Sequence, residues 1–557
     1  MFNSFRLAMT WLHTWFGLVL GFVLMVVFFF GSLSVFDREI DRWAIPESRF
    51  EPQHMPSFDA MLRPLFEGIV PDEPELEEAR ERVGKLPNSL PVMNYSAYTT
   101  HRDPVLELYS EFSLKNPQDP HDHVHGHVTI DPRSGKRLKG AELKIGSAFF
   151  YPLHFSLNWD IGYWIVAVAA LVMLAALVSG VVIHKKLLRE FFTFRPSTNS
   201  HCRTLDLHNL TGVVALPFHF MFPLTGLIIF ATIYFPFSET MFGPLAQKHA
   251  AMAATAKGLA FEPAGVKAPL ASVDAMVVEA KRRWAARDMA GEVGWLTVTH
   301  VGDANAYVSI YRAGSDRVSL VGQGVHFAGP TGRVLYEEPP RNAVSRINEF
   351  LTGLHLQHFR HWLLRWLYVL GGLSGCVCIG TGLIFFVGKR RARHAAQGVA
   401  GARWVEALAV ATVTGTLIAT LSMLVANRAL PAGLAERGDW QQRVFWLSWL
   451  SSLLHGALRR APVGIEQLAP AWREQCYAVT ALALSAVLLN WLTTGDHLLR
   501  TLGRGYWPVA GFDLALLATA GIAAAAAGKL RRRASSAPAS SNADSERSLS
   551  TAQEAHG

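Results

Sequence analysis

Long apolar runs separated by two wide polar stretches set the pattern of this chain. Runs of about 20 apolar residues, the length a bilayer core requires, lie at 11–36, 161–184, 209–236, 362–388, 404–427, 441–458, 474–494 and 507–528. They predict eight membrane helices, the sixth being the shortest. The polar stretches, 37–160 and 237–361, are each long enough to fold outside the bilayer. Small residues recur at fixed places in the runs. His13 is followed by Gly17 and Gly31, and His208 by Gly212 and Gly226, at the same two offsets. At 100° per residue these offsets return to nearly one helix face, so each histidine looks along a stripe of small residues where a flat cofactor can lie. A second pair of runs repeats too: His154 leads to Trp164 and Ser179-Gly180, and His355 to Trp366 and Thr381-Gly382, one residue out of step. The pattern points to an internal duplication of a unit made of helix, soluble segment and helix.

Composition fixes the class. Of 557 residues half are apolar, 11% are aromatic and only 17% are charged, which is too apolar for a soluble enzyme. Lys185-Lys186, Lys389-Arg390-Arg391, Arg459-Arg460 and Lys529 to Arg533 all fall on one side of the predicted helices. Basic loops remain cytoplasmic, so both termini are expected inside and the two polar stretches on the periplasmic side of a bacterial inner membrane. The net charge of +8 is then a topology signal, and nucleic acid is excluded as a partner. The first run is too long for a signal peptide and no small-x-small cleavage pattern follows it. Cys202, Cys376, Cys378 and Cys476 lie in a cytoplasmic loop or in helices, so no disulfide framework is expected. The thiols of Cys376-x-Cys378 point about 200° apart on a helix, which reads as packing. The expected order is helix 1 (1–36), outer domain 1 (37–160), helices 2 and 3 (161–236), outer domain 2 (237–361), helix 4 (362–388), four further helices (404–528) and a disordered tail (529–557).

Within the first polar stretch, Pro104 to Tyr109 and Val128 to Asp131 have strand character, and Asp131-Pro132-Arg133-Ser134-Gly135 is turn chemistry before Leu138. The second repeats this with Ala306 to Tyr311, then Phe327 through Pro330-Thr331-Gly332 to Leu335, with Ala328 in place of Asp131. The pattern of apolar pair, Asp-Pro, two residues, Gly and Leu resembles the PepSY domain signature. Trp11-Leu12-His13-Thr14-Trp15-Phe16-Gly17, with Val35-Phe36-Asp37-Arg38-Glu39-Ile40, resembles the first helix of PepSY-associated transmembrane proteins. That family includes iron-regulated inner-membrane proteins and ferric-siderophore reductases. The resemblance covers residues 1 to about 395 and leaves the last four helices without a motif. It implies a polytopic helical membrane protein with two periplasmic α+β PepSY-like domains.

A histidine just inside a membrane helix is costly unless it faces the bundle interior with a partner. His13, His184 and His208 gather at the cytoplasmic end, His154 and His355 at the outer end in matching repeat positions. Paired imidazoles from facing helices are the usual way to hold b-type haem. Symmetry pairs His13 with His208 and His154 with His355, giving two haems. The siderophore-reductase resemblance implies the same cofactor, carrying electrons outward to ferric chelates. His184 has no counterpart in the fourth helix, where Phe386 takes its place, and is either the true inner ligand or a hydrogen-bond partner. The competing reading is a set of interfacial histidines capping helix ends. His154 to His184 would span roughly 45 Å if helical throughout, which makes His219 of interest: it lies about 20° around the helix from His208 and roughly 16 Å deeper. It is either a mid-membrane ligand or a donor to carbonyls freed by Pro217 and Pro223. His121, His123, His125 and His127 alternate with other residues, share one face of a strand, and suit copper, zinc or exposed iron; a solvated His-rich loop reads equally well. His358 and His361 stand beside His355.

The cytoplasmic loops are short, and the chain carries no recognisable NAD, FAD or ATP motif. Electrons must come from a reduced cytoplasmic carrier or membrane quinol. The reading is a transmembrane ferric-chelate reductase. Two alternatives are kept: a membrane-anchored PepSY binding or regulatory module without haem, and a metal or siderophore transporter using the C-terminal bundle, where Glu406, His455 and His497 are the polar residues to follow.

Overall fold

The computed structural model describes residues 4–51, 57–60, 92–98, 104–113, 123–183, 200–230, 252–320, 323–396, 401–459 and 470–535. Its helices, in order, are α1 (Phe5–Ser34), α2 (Asp37–Ala44), α3 (Tyr151–Phe155), α4 (Gly162–Ile183), α5 (Ser200–Val214), α6 (Leu216–Ile229), α7 (Val273–Ala285), α8 (Ala343–Leu356) and α9 (Trp362–Ala396). Then come α10 (Ala402–Val410), α11 (Thr416–Ala429), α12 (Arg437–Leu458), α13 (Pro470–Thr494), α14 (Leu498–Gly503) and α15 (Trp507–Ser535). Among the described residues six stretches are long and apolar enough to cross a membrane: α1, α4, the first part of α9, α10 to α11 as one, α13 and α15. α5 and α6 make a seventh if their 62° bend is counted as one broken span. The bend falls at Ala215, beside Pro217, whose missing N–H cannot continue the ladder. The expected run at 441–458 does form a helix, α12, but Arg443, two glutamines and several serines leave it less apolar than these stretches. Within α10 to α11 a π-turn at Ala411–Gly415 interrupts the ladder, and Trp449 Nε1 donates to the Ala411 carbonyl at 2.9 Å.

The chain divides into two compact units. The first contains residues 1–29, 179–214 and 374–557. Its packing is helix on helix: Leu383, Val410, Ala471 and Trp472 form a buried cluster against Leu18, Phe22 and Ile379. The second contains residues 30–178 and 215–373. It is built on one antiparallel sheet of strands β1 (Val92–Tyr98), β2 (Leu106–Ser113), β3 (His123–Asp131), β4 (Lys136–Arg137), β5 (Val293–Thr299), β6 (Tyr307–Arg312), β7 (Gly324–Ala328) and β8 (Val334–Glu337). The strand order is β4-β3-β2-β1-β5-β6-β7-β8. Four strands from each polar stretch therefore share one sheet, joined where β1 runs antiparallel to β5 with Ser96 opposite Thr297.

Strand alternation sorts the two faces of this sheet. Leu106, Leu108, Ile130, Leu296, Val298, Val308, Ile310, Val325 and Phe327 form the apolar face. They bury against Val273, Met276, Ala280 and Trp284 of α7, which recur at helical spacing. Ser272 caps α7 by accepting from Ala275 N, and Asp59 accepts from Val273 N. The opposite face carries Glu107, Tyr109, His127, Thr129, Trp295, Ser309, Tyr311 and His326. Both predicted turns are present. Gly135 (φ 66°) donates to the Asp131 carbonyl at 2.9 Å, and Gly332 (φ 68°) donates to the Ala328 carbonyl at 2.8 Å. The second turn thus forms without the aspartate, because the left-handed glycine and the backbone bond carry the geometry.

Candidate functional site: two histidine pairs on glycine seats

In the first unit His13 of α1 and His208 of α5 stand with ring centroids 6.1 Å apart and planes at 77°. His208 Nδ1 lies 2.8 Å from the Cys378 carbonyl oxygen, and Cys378 Sγ is 3.5 Å from the same nitrogen. His13 Nδ1 lies 3.4 Å from Ser179 Oγ, a long contact. In the second unit His154 of α3 and His355 of α8 stand 5.9 Å apart with planes at 25°. His355 Nδ1 is 2.9 Å from Thr225 Oγ1, whose own hydrogen is given to the Met221 carbonyl. Burial first, and then the neighbouring His154, push His355 down to about 3, so its imidazole is neutral.

Each of the four rings rests on a glycine of another element. A Cβ added to Gly31 would come 2.7 Å from His154 Nδ1, and one on Gly226 would come 3.0 Å from His355. The corresponding approaches are 3.3 Å from Gly180 to His13 and 3.2 Å from Gly382 to His208. The glycines therefore work crosswise. Gly31 and Gly226 do not extend a stripe for the histidine on their own helix; each seats the ring of a different element. Gly17 has no heavy atom within 4 Å of such a Cβ, and Gly212 meets Cys378 Sγ at 3.3 Å. Cys378, read from sequence as packing, thus touches His208 through both its thiol and its carbonyl.

The separations bear on what such pairs can hold. Two imidazoles bound to one metal through nitrogen are parted by two bonds of roughly 2 Å and two ring radii, about 6.3 Å between centroids. Both pairs match that span, and the glycine seats leave the rings the room that a Cβ would take. The Nδ1 contacts also matter, because a ligating histidine gives its second ring N–H to a carbonyl or hydroxyl and thereby presents the other nitrogen to the metal.

α3 owes its placement to a distant carboxylate. Asp41 of α2 accepts from the backbone N–H groups of Ile145, Gly146 and Ser147 and from Ser147 Oγ, capping the π-turn that runs into α3. Gly146 is obligatory there, since a Cβ would lie 2.1 Å from the Asp37 carbonyl oxygen. Burial holds the Asp41 carboxyl up at about 6 against the pull of Ser147 and Lys144. Sequence reading missed Asp41, because its partners lie about a hundred residues away.

Other predicted positions fall elsewhere. His219 is buried, with Nε2 3.3 Å from the Gly371 carbonyl of α9. His184 and His121 lie outside the described residues, as do the side chains of His123 and His125, whose backbones run in β3 as the alternation required. His127 is committed: its Nε2 is 2.8 Å from Glu107 Oε2 and its ring stacks on Tyr109 at 4.5 Å. Among the described residues no three of His, Cys, Asp and Glu converge on one point. In the C-terminal bundle His455 pairs with Glu474 at 3.0 Å, and His497 caps α14 through Arg500 N.

Residues 10–389 match the sequence model of the PepSY-associated TM region. The chain belongs to that family. Both histidine pairs and all four seats fall inside the matched range, whereas α10 to α15 lie beyond it. No curated protein matches the chain.

Proposed function

We propose that this PepSY-associated protein holds two b-type haems and passes electrons across the bacterial inner membrane to a ferric chelate on the periplasmic side. The observation that carries the reading is the pair of imidazole pairs at 6.1 and 5.9 Å, each ring on a glycine. His13 and His208 would hold one haem near the cytoplasmic end, and His154 and His355 the other near the periplasmic end. Bound between such pairs, haem supplies one-electron transfer at a potential set by its axial ligands and burial. The chain's own residues do the rest. The Cys378 carbonyl and Thr225 Oγ1 fix the Nδ1–H tautomers of His208 and His355, which would leave Nε2 as the ligating nitrogen. Asp41 holds α3, and so His154, in register.

The duplicated helix-domain-helix architecture belongs to the same reading: the histidines of each half come to rest on glycines at matching positions. Counted with α12, which lies in the C-terminal bundle, the chain has eight crossings and both termini are cytoplasmic, in keeping with its basic loops. With no nucleotide motif, the electrons come from a cytoplasmic carrier or quinol. The test is direct. Dithionite-reduced protein, freed of excess reductant, is mixed with a ferric trihydroxamate in the presence of a ferrous-specific dye. The reading predicts reoxidation of the haem band with matching Fe(II) trapped; a haem-loaded protein that stays reduced would remove the chelate reductase assignment.

A further inference from the structure

A helix at the surface of a folded domain turns its apolar stripe inward and its polar side chains to water. α7 does so, burying Val273, Met276, Ala280 and Trp284 against the sheet. α8 is built the other way round. At 100° per residue Val344, Ile347, Phe350, Leu351 and Leu354 fall within an arc of about 120°. On that arc Val344 is 77%, Ile347 61% and Phe350 45% exposed. The side turned to the domain carries Glu349 and Gly353 instead. The Glu349 carbonyl accepts from Leu320 N at 3.1 Å, and a Cβ on Gly353 would collide with the Val318 carbonyl. A row of large apolar side chains with no charge among them calls for an apolar medium against it.

The surroundings of α8 identify that medium. The helix packs on α6, where His355 rests on Gly226, and α6 is one half of the broken span. Only five residues separate Leu356 from α9, and one of them, Phe359, is buried in a cluster with Tyr368 and Val369 of α9 and Phe218 and Phe222 of α6. Tyr368 lies roughly 9 Å along the span from its first residue, Trp362, so the chain leaving α8 is fixed below the start of the span. Trp362 and Trp366, with ring centroids 5.5 Å apart and both exposed, stand at that start, where an interfacial aromatic belt is found. Arg346 is exposed at the edge of the stripe, next to Phe350 on the wheel, where a long basic side chain can reach a lipid phosphate.

We infer that α8 is a monotopic membrane helix, with its row of Val344, Ile347 and Phe350 set among the acyl chains of the leaflet on the sheet side. Its 14 residues span about 21 Å, too short to cross a bilayer and suited to lying in its surface. Residues 343–356, read from the sequence as the end of a soluble segment, thus face lipid. The inference does not depend on haem, but it puts His355 on a helix embedded in the leaflet.

The experiment uses a photocrosslinker that inserts into C–H bonds. Benzoylphenylalanine is incorporated at Val344, Ile347 or Phe350 of the full-length chain, and at Val278, a 68% exposed apolar residue of α7, as the aqueous control. Each protein is irradiated in cells, and again after reconstitution alone into nanodiscs of phosphatidylethanolamine and phosphatidylglycerol, and adducts are identified by mass. Because the row is exposed, thermal melting is expected to match that of the wild type at all three positions. At least about fivefold more phospholipid adduct is expected at each of the three than at Val278, in cells and in nanodiscs, as for side chains within the headgroup and acyl boundary. Lipid adduct no greater than at Val278 overturns the assignment. So does an adduct in cells that is mainly a second copy of this chain or another protein.

Discussion

A Cβ placed on Gly31 or Gly226 would stand 2.7 or 3.0 Å from the ring it seats, whereas Gly180 and Gly382 would leave 3.3 and 3.2 Å. The orientations differ too. His154 and His355 are nearly parallel at 25°, whereas His13 and His208 cross at 77°; in each pair one Nδ1 has a close oxygen contact, His355 to Thr225 at 2.9 Å and His208 to the Cys378 carbonyl at 2.8 Å. Two pairs of the same residue type at almost the same spacing are thus seated with unequal clearance. The separation of a pair is set by which helices face one another, and the room left to each ring by how closely a glycine approaches it. On the proposed reading, equal ligands with unequal seating would give the two haems different potentials.

The largest effect that separates the two regions is acid sensitivity. In the sheet-bearing unit burial pushes Glu107 up, but His127 and Lys144 outweigh it and bring the carboxyl down to about 2. Because this folded value lies below the unfolded one near 4.5, the stabilisation is complete above that value and is lost as pH falls toward 2. Its size is on the order of 3 kcal/mol. Acid titration followed by melting should show this loss, and Glu107→Gln should flatten it; an unchanged pH profile in that variant would deny Glu107 the role.

Next comes Gly31→Ala, which must displace His154 or its helix and should cost roughly 1–3 kcal/mol together with the absorbance of the second haem. Gly180→Ala has room to be absorbed and should cost less, with both absorbances retained. Equal losses in the two variants would erase the contrast between the seats. Thr225→Val removes the His355 contact, and a loss of about 1 kcal/mol is expected, along with a shifted midpoint potential for one haem. Ser179→Ala should shift neither potential in redox titration. The smallest spectral effect belongs to His219→Gln, since His219 bonds a backbone carbonyl: both haem bands should remain, and loss of one would make His219 a ligand after all.

Much of this arrangement was legible in the chain. The apolar runs gave the helices their positions, and the similar spacings after His13 and His208, and after His154 and His355, pointed to the ring pairs that stand together. What faced each ring was not legible. Helical periodicity says that His13, Gly17 and Gly31 share a face, but not that the ring opposite Gly31 belongs to His154. β1 and β5 were missed because their pairing joins segments about two hundred residues apart, a contact that no local alternation encodes. Asp41 escaped for the same reason. The run at 441–458, the sixth and shortest, forms α12, whose Arg443, glutamines and serines set it apart from the more apolar stretches. That the His219 ring reaches the Gly371 carbonyl of α9 was likewise beyond local periodicity.

The central claim is that each histidine pair holds one haem. It is tested most directly by the haem content and reduced-minus-oxidised spectrum of purified protein, beside the double variants His13→Ala/His208→Ala and His154→Ala/His355→Ala. The account predicts two haems in the wild type and one in each double variant, with different α-band positions and midpoint potentials for the two that survive. A wild type that remains colourless when made with ample haem, or double variants that keep the full complement, would contradict it.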